Sequence, residues 1–225
     1  MCGRASLAKL PKDLEIRYKT KFIKSSEVAE NRLPNFNIAP THWHPVVTNE
    51  AGHPLKFFKW GLIPHWAKDH KIGSRLINAR SETILEKPAF QNIHKKRCIV
   101  PFDGFYEWKR EGNKKVPYRI VLKDTEIFSL AGIWAIWKNP DGNIIPTFSL
   151  LTQEPNNLMA AIHNRMPAIL SPEQEKDWLD MDVPTKEVLK LIEPYPEEKM
   201  EAYRVSMEVN RVSENRPDLL ERVAE

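Results

Sequence analysis

The chain has 225 residues, 41% hydrophobic and 28% charged, with a formal net charge of +4. This suits one compact domain, or at most two, with a full hydrophobic core, and the mild basicity permits a polyanionic partner without demanding one. Two cysteines cannot build a disulfide scaffold, no stretch approaches the ~20 apolar residues that span a membrane, and no apolar signal region opens the chain, so a cytoplasmic protein is expected.

Met1-Cys2-Gly3-Arg4 puts a thiol directly behind the initiator methionine. Cysteine is small enough for methionine aminopeptidase to act, so Cys2 is expected at the mature N-terminus, carrying an α-amine (reference pKa near ~8) and a thiol (near ~8.5). A 1,2-aminothiol has a reaction closed to internal cysteines: the amine condenses with an aldehyde to an imine, and the thiol closes on the imine carbon as a five-membered thiazolidine. Gly3 adds backbone freedom, and Arg4 adds a fixed cation able to bind phosphate or carboxylate. The bland alternative is an ordinary cysteine in a frayed terminus.

Pro11 to Phe22 reads as a helix, with Leu14, Tyr18 and Phe22 on one face, and Lys24 to Pro34 as a polar loop. Asn35 to Pro40 reads as irregular. Pro45 to Thr48 and Leu55 to Gly61 read as strands, Ala67 to Ser74 as a polar loop, and Leu76 to Arg80 as a short extended piece. Cys98 to Val100 and Gly104 to Lys109 follow as strands, with Cys98 a buried core thiol. The turn Glu111-Gly112-Asn113-Lys114 leads to a strand at Tyr118 to Leu122. Ile127 to Trp137 and Ile144 to Thr152 pair across Asn139-Pro140-Asp141-Gly142-Asn143, a strong turn signal. Asn156 to Ile162 reads as a short helix, Met166 to Leu170 as a strand, and Ser171-Pro172 as the cap and first position of another helix. A helix over Thr185 to Ile192 and a strand over Tyr203 to Ser206 end the chain. Eighteen prolines against eight glycines favour stiff loops over long helices. The sum is a mainly antiparallel β protein with short peripheral helices, in one domain spanning residues 1–225.

Four polar segments interrupt the apolar pattern in ways packing does not require. Asn35 to Pro40 is one, and Asn78-Ala79-Arg80-Ser81-Glu82 another. In Asp103-Gly104-Phe105-Tyr106-Glu107-Trp108, period-two alternation places Glu107 among aromatics, where a desolvated carboxylate can serve as general acid or base. A salt-bridged strand glutamate is the other reading. In Ala161-Ile162-His163-Asn164-Arg165-Met166-Pro167, His163 sits at a helix-to-strand junction as a candidate proton carrier, or as a structural histidine. His42-Trp43-His44 offers two imidazoles, but no cysteine cluster or spaced carboxylates complete a metal site, so no metal or cofactor is expected. Lys95-Lys96-Arg97, and Lys109, Arg110, Lys114 and Lys115 around the hairpin, are basic clusters of the kind that usually form solvated faces. Trp66 follows Pro64-His65 in a loop, where it could stack on a base.

Taken in order, Met1-Cys2-Gly3-Arg4, Asn37-Ile38-Ala39-Pro40, Trp60-Gly61-Leu62-Ile63-Pro64, Ile77-Asn78-Ala79-Arg80-Ser81-Glu82-Thr83, Asp103 to Trp108 and His163-Asn164-Arg165-Met166-Pro167 resemble the SRAP (SOS-response-associated peptidase) family. No single motif is diagnostic, but the ordered set with cysteine at position two is specific. Two departures are Asn164, where members often carry Asp, and a long spacer between Trp66 and Asn78. The resemblance implies an α+β domain with a β-barrel-like core and a basic groove, and a sensor and shield of abasic sites in single-stranded DNA that forms a thiazolidine crosslink through Cys2. It implies Glu107 as general acid/base, His163 as an aid to sugar ring opening, and Asn78 as a hold on sugar or imine. It implies Arg4, Arg80 and Arg165 on phosphates, with Asn37, Pro40, Trp66 and Thr152 along the DNA path. A monomer is expected, with the preferred DNA structure, such as a junction with duplex, left open. The competing readings are an autoproteolytic thiol peptidase using Cys2 with Glu107 and His163, and a plain single-strand-binding module.

Overall fold

The computed structural model describes residues 2–23 and 32–223. Met1 and residues 24–31, the greater part of the expected polar loop, lie outside the described residues. In chain order the elements are β1 (Ala5–Leu7), α1 (Pro11–Tyr18), β2 (Asn35–Ile38), β3 (Trp43–Thr48), β4 (Leu55–Trp60), β5 (Asn78–Arg80), β6 (Arg97–Phe102), β7 (Gly104–Glu111), β8 (Lys114–Leu122) and β9 (Phe128–Lys138). They continue with β10 (Ile144–Gln153), α2 (Asn157–Ala160), β11 (Met166–Pro167), β12 (Ile169–Leu170), α3 (Pro172–Leu179), α4 (Thr185–Lys190) and β13 (Met200–Arg204).

The strands form two sheets. In one, β3, β4, β10, β9 and β6 pair successively and β6 returns to β3, closing a ring. Most of its pairings are antiparallel. The exceptions are on β10, which runs parallel to β4 and then, past the end of β4, parallel to β5. Trp60, Phe102, Phe148 and His44, from four ring strands, meet with ring centroids 4.5–6.2 Å apart. His44 is sealed in this core with Nε2 2.7 Å from the Pro101 carbonyl, and burial pushes its pKa down to about 3. The second sheet is antiparallel in the order β13, β8, β7, β1, β2. The α+β architecture is thus the expected one, with a closed ring of strands in place of a regular barrel.

Local differences from the sequence reading have physical causes. Asn35–Ile38 is a strand, not an irregular piece, because β1 lies beside it and supplies its partners. β1 was not legible: three residues are too few for alternation to register, and all three are buried. The expected strand at Met166 to Leu170 is split, because Ala168 leaves β11 to bond Leu151 while Ile169 turns to β9. Arg97, read as part of a basic surface cluster, is 1% exposed. Its guanidinium donates to the Trp178, Asp180 and Val183 carbonyls and to Thr185 Oγ1, binding the orphan carbonyls at the end of α3. At the start of α3, Ser171 caps as expected, with Gln174 completing the capping box.

The turn out of β4 depends on one glycine. Gly61 has φ 116°, and a Cβ there would lie 2.7 Å from the carbonyl oxygen of Gly73. The chain is therefore stitched backbone against backbone where it leaves the ring for the loop leading to β5. Gly61→Ala is expected to cost roughly 1–3 kcal/mol, from left-handed strain plus the clash. Urea denaturation measures this, and a midpoint equal to the parent's would show that the two backbones part without cost.

Candidate functional site

The site lies where the two sheets meet. The run Cys2-Gly3-Arg4 extends β1 alongside β7, with the Tyr106 N–H donating to the Arg4 carbonyl at 2.9 Å. It also touches the ring sheet, because Asn78 Nδ2 on β5 donates to the Cys2 carbonyl at 2.8 Å. Cys2 is thereby 1% exposed. Burial first, and the Glu107 carboxylate second, push its thiol well above the ordinary thiol range. Cys2 is not frayed.

Glu107 comes from the middle of β7 and is 3% exposed. The expected alternation holds. Phe105 points into the main core, while Tyr106 and Trp108 face a small second core with Val205, Val209 and Leu219. Asn78 Oδ1, beside the Cys2 carbonyl, is buried and has no hydrogen-bond partner among the described residues. It is an acceptor held ready at the reactive terminus.

His163 follows α2, whose Asn156 cap accepts from Met159 N at 2.9 Å. Its backbone N–H donates to the Met159 carbonyl at 2.7 Å, ending the helix. His163 Nδ1 lies 3.1 Å from the Arg165 N–H and 3.3 Å from the Arg165 carbonyl, so the backbone of Arg165 holds this side of the ring. Arg165, expected on a phosphate, is engaged within the fold. Its Nη1 and Nη2 donate to Glu82 Oε1 and Oε2 at 2.7 and 2.8 Å, Nη1 also donates to Glu154 at 2.7 Å, and Nη2 to the Thr152 carbonyl at 2.8 Å. These contacts fix the His163 loop to β10 and to the segment after β5. Thr152 is fully buried and contributes this carbonyl.

Arg4 and Asn37 are likewise engaged within the fold. Arg4 Nη1 donates to Asn37 Oδ1 at 2.9 Å and to the Val209 carbonyl, and its guanidinium lies 5.8 Å from the Trp108 ring centroid. Asn37 is 1% exposed, and its amide donates to the carbonyls of Val209, Arg211 and Glu214 at 2.9–3.2 Å. The two residues dock the C-terminal segment 205–220 against β2 and β7. Arg80 alone of the three arginines is exposed without a hydrogen bond or ion pair among the described residues. Pro40 is half-buried before Thr41, which has φ 75°, and Trp66 is 53% exposed in its loop. Neither borders the pocket that the other groups share.

That pocket is an open depression of about 830 Å³ lined by Glu107, Trp108, Arg110, Lys115, His163 and Asn164, with Ile162, Met207 and Asn210 completing it. Glu107 is the group that both borders it and acts on Cys2. Met207 and Asn210 were missed in the sequence, which shows no periodicity there. Their placement follows from the polar contacts of Asn37 and from Trp108 Nε1 donating to Asn210 Oδ1 at 2.8 Å. His42 and His44 do not form a site together. Among the described residues no cluster of three His, Cys, Asp or Glu side chains could hold a metal ion, and no helix is long and apolar enough to cross a membrane.

A ring of strands with a second sheet laid against it, and a cysteine at position two seated at their junction beside an asparagine and a carboxylate that shares a pocket with a histidine, define a recognisable class. Residues 1–212 match the SOS response associated peptidase (SRAP) family, and the chain belongs to it. It is 42% identical to the abasic site processing protein YoqW of Bacillus subtilis (strain 168), over 98% of this chain and 99% of that protein. It is 30% identical to the abasic site processing protein HMCES of Mus musculus, over 98% of this chain and 75% of that one. A crystal structure of a Bacteroides thetaiotaomicron protein superposes with a TM-score of 0.91 at 34% identity, covering 99% of this chain and all of that chain.

The hold on His163 can be tested through Glu82. Arg165 keeps the Glu82 carboxylate below the ordinary carboxylate range, chiefly by hydrogen bonding. The resulting stability is present above that range and is lost as pH falls through the depressed value. Both carboxylates are partly exposed, so each pair contributes about 1 kcal/mol or less. Glu82→Gln is expected to leave the fold intact while shifting and broadening the His163 ring resonances at neutral pH. Unchanged His163 resonances in the variant would show that the loop is held by other means.

Proposed function

We propose that the protein binds single-stranded DNA carrying an abasic site and joins it covalently, as a thiazolidine, through Cys2 after removal of Met1. The observation that carries this is the seating of Cys2 between Asn78 and Glu107 at the meeting of the two sheets, beside a pocket bordered by His163. The names of relatives such as YoqW and HMCES, as abasic site processing proteins, support the same substrate.

The steps follow from the residues. The ring-closed sugar opens to its aldehyde as the C1′–O4′ bond breaks, with His163 giving a proton to the ring oxygen and solvent water taking the proton of the C1′ hydroxyl. The α-amine of Cys2 adds to the aldehyde carbon, and loss of water leaves an imine. Glu107 takes the proton from the amine and returns it to the departing hydroxyl. Asn78, anchored on the Cys2 carbonyl, has Oδ1 available for the N–H of the amine or iminium. The Sγ–H then adds across the C=N bond. One water is lost overall, and nothing is oxidised or reduced. Arg80, with Trp66 and Pro40 on the approach, suits backbone and base contacts. Arg4, Asn37, Thr152 and Arg165 shape the walls. On this reading the protein works as a monomer in the cytoplasm, bound to the nucleoid where lesions occur.

The peptidase alternative is less well supported, because it makes the Cys2 thiolate the first nucleophile. Burial and Glu107 both oppose that thiolate. A plain binding module leaves the arrangement of Cys2, Glu107 and His163 without a role.

Cys2→Ala with Met1 removed separates the two nucleophiles. The α-amine survives, so the variant is expected to form no heat-stable adduct on a denaturing gel, yet to be trapped as an imine by borohydride. Some strand cleavage should accompany it, because an imine at C1′ acidifies the C2′ proton whose loss expels the 3′ phosphate. Adding Glu107→Gln should slow trapping by ~10²-fold or more, the usual scale for a positioned acid/base. A folded, DNA-binding Cys2→Ala protein that borohydride does not trap would remove the amine from the first step.

A further inference from the structure

We propose that Arg110 and Lys115, at the tip of the β7–β8 hairpin, form a subsite for a backbone phosphate of the bound strand beside the reacting sugar. This rests on the function proposed above. The two residues are directly opposed in the ladder, Arg110 against Lys115. Like charges in that position repel, so the fold gains nothing from the pairing. Both are exposed, and among the described residues neither has a hydrogen bond or ion pair. The nearby acid, Glu111, is already engaged: it accepts from Tyr118 Oη at 3.1 Å and faces Arg204 at 3.7 Å. Glu111 also falls on the other face of β7 from Arg110, by strand alternation.

What the pair does border is the 830 Å³ pocket, together with Glu107 and His163. Glu107 and Arg110 are three positions apart on β7, about 10 Å at the usual rise, and alternation puts them on opposite faces of the strand. The pocket wraps round this edge and is bordered by both, which puts the cations a short step from the sugar that Glu107 serves. The tight turn at Gly112, with φ 59°, and the ladder down to Phe105 keep the tip in register with the site. A guanidinium fork beside an ammonium is suited to a phosphate, the one with paired donors and the other with a compact charge. The pair therefore sets which way the strand runs across the site, a choice that Glu107, His163 and Asn78 cannot make among themselves.

The test uses single-stranded DNA carrying a tetrahydrofuran abasic analogue, which has no aldehyde, so that binding is measured apart from chemistry. The Arg110→Gln/Lys115→Gln double variant is expected to flatten the log–log salt dependence of binding by about 0.7, the value for one single-strand phosphate. Replacing single phosphates by neutral methylphosphonates should reveal one position, on one side of the analogue, at which the parent loses affinity and the double variant loses nothing more. With the repulsion relieved, the unliganded double variant should melt at or above the parent temperature. A parental salt slope, or a methylphosphonate penalty equal in parent and variant at every position, would overturn the subsite. So would a lowered melting temperature, since the pair would then serve the fold. Crosslinking of the parent to true abasic DNA is scored on a separate denaturing gel, so failure of the chemistry and failure of the subsite are distinguishable.

Discussion

The hydrogen bond from Asn78 Nδ2 to the Cys2 carbonyl ties the first residues of the chain to a sheet they do not belong to. Chain ends usually fray because they lack partners. Here the terminus extends β1, bonds β7 through Arg4, and is gripped from β5 by Asn78. Once Cys2 is fixed between the sheets, the rest follows: Glu107 must lie on the β7 strand beside it, and His163 must reach the shared pocket from the ring side. Glycine at 61 belongs to the same constraint, since β5 reaches β10 only after the chain has turned tightly out of β4.

Much of the site's polar machinery is spent on position. Asn37 gives its amide to three carbonyls of the C-terminal segment, Arg4 joins it, and Arg165 donates through Nη1 and Nη2 to Glu82, Glu154 and the Thr152 carbonyl. Each is a buried or half-buried polar group whose loss would leave partners unsatisfied, at about 1–3 kcal/mol for each group stranded. This rigidity suits a reaction needing an amine, a carboxylate and an imidazole in one geometry, where positioning supplies much of the rate.

Cys2, Glu107, His163 and Asn78 stood out in the sequence because each interrupts a regular pattern: a thiol at position two, a carboxylate in an apolar strand, a histidine at an element junction, an asparagine in a polar break. For Arg4, Asn37, Thr152 and Arg165 the structure adds partners within the fold that the sequence did not show. A sequence shows donors and acceptors without showing who already occupies them, and an arginine facing two glutamates from other elements looks the same as one awaiting a phosphate. The C-terminal segment was invisible for a related reason. Its hold on the body is a set of carbonyls accepting from Asn37 and Arg4, and backbone carbonyls carry no residue signature. Most strands were found because alternation is strong in long ladders such as β9 and β10; β1 and β2 escaped because three or four residues between prolines and polar neighbours give alternation no room.

The raised pKa of the Cys2 thiol bears on the order of events. Taken alone, a buried neutral thiol beside a carboxylate is a poor nucleophile. On the function proposed above the amine acts first, and its product changes the field. A protonated imine would place a positive charge on the nitrogen two bonds from the carbon bearing the thiol. A cation that close favours the thiolate over the thiol. The same burial that silences the thiol towards other electrophiles makes it responsive to this one charge. A thiol kept protonated until the aldehyde has been captured reacts with the captured sugar and with little else, which is the behaviour a protein needs if its reactive terminus is to wait intact for a rare lesion.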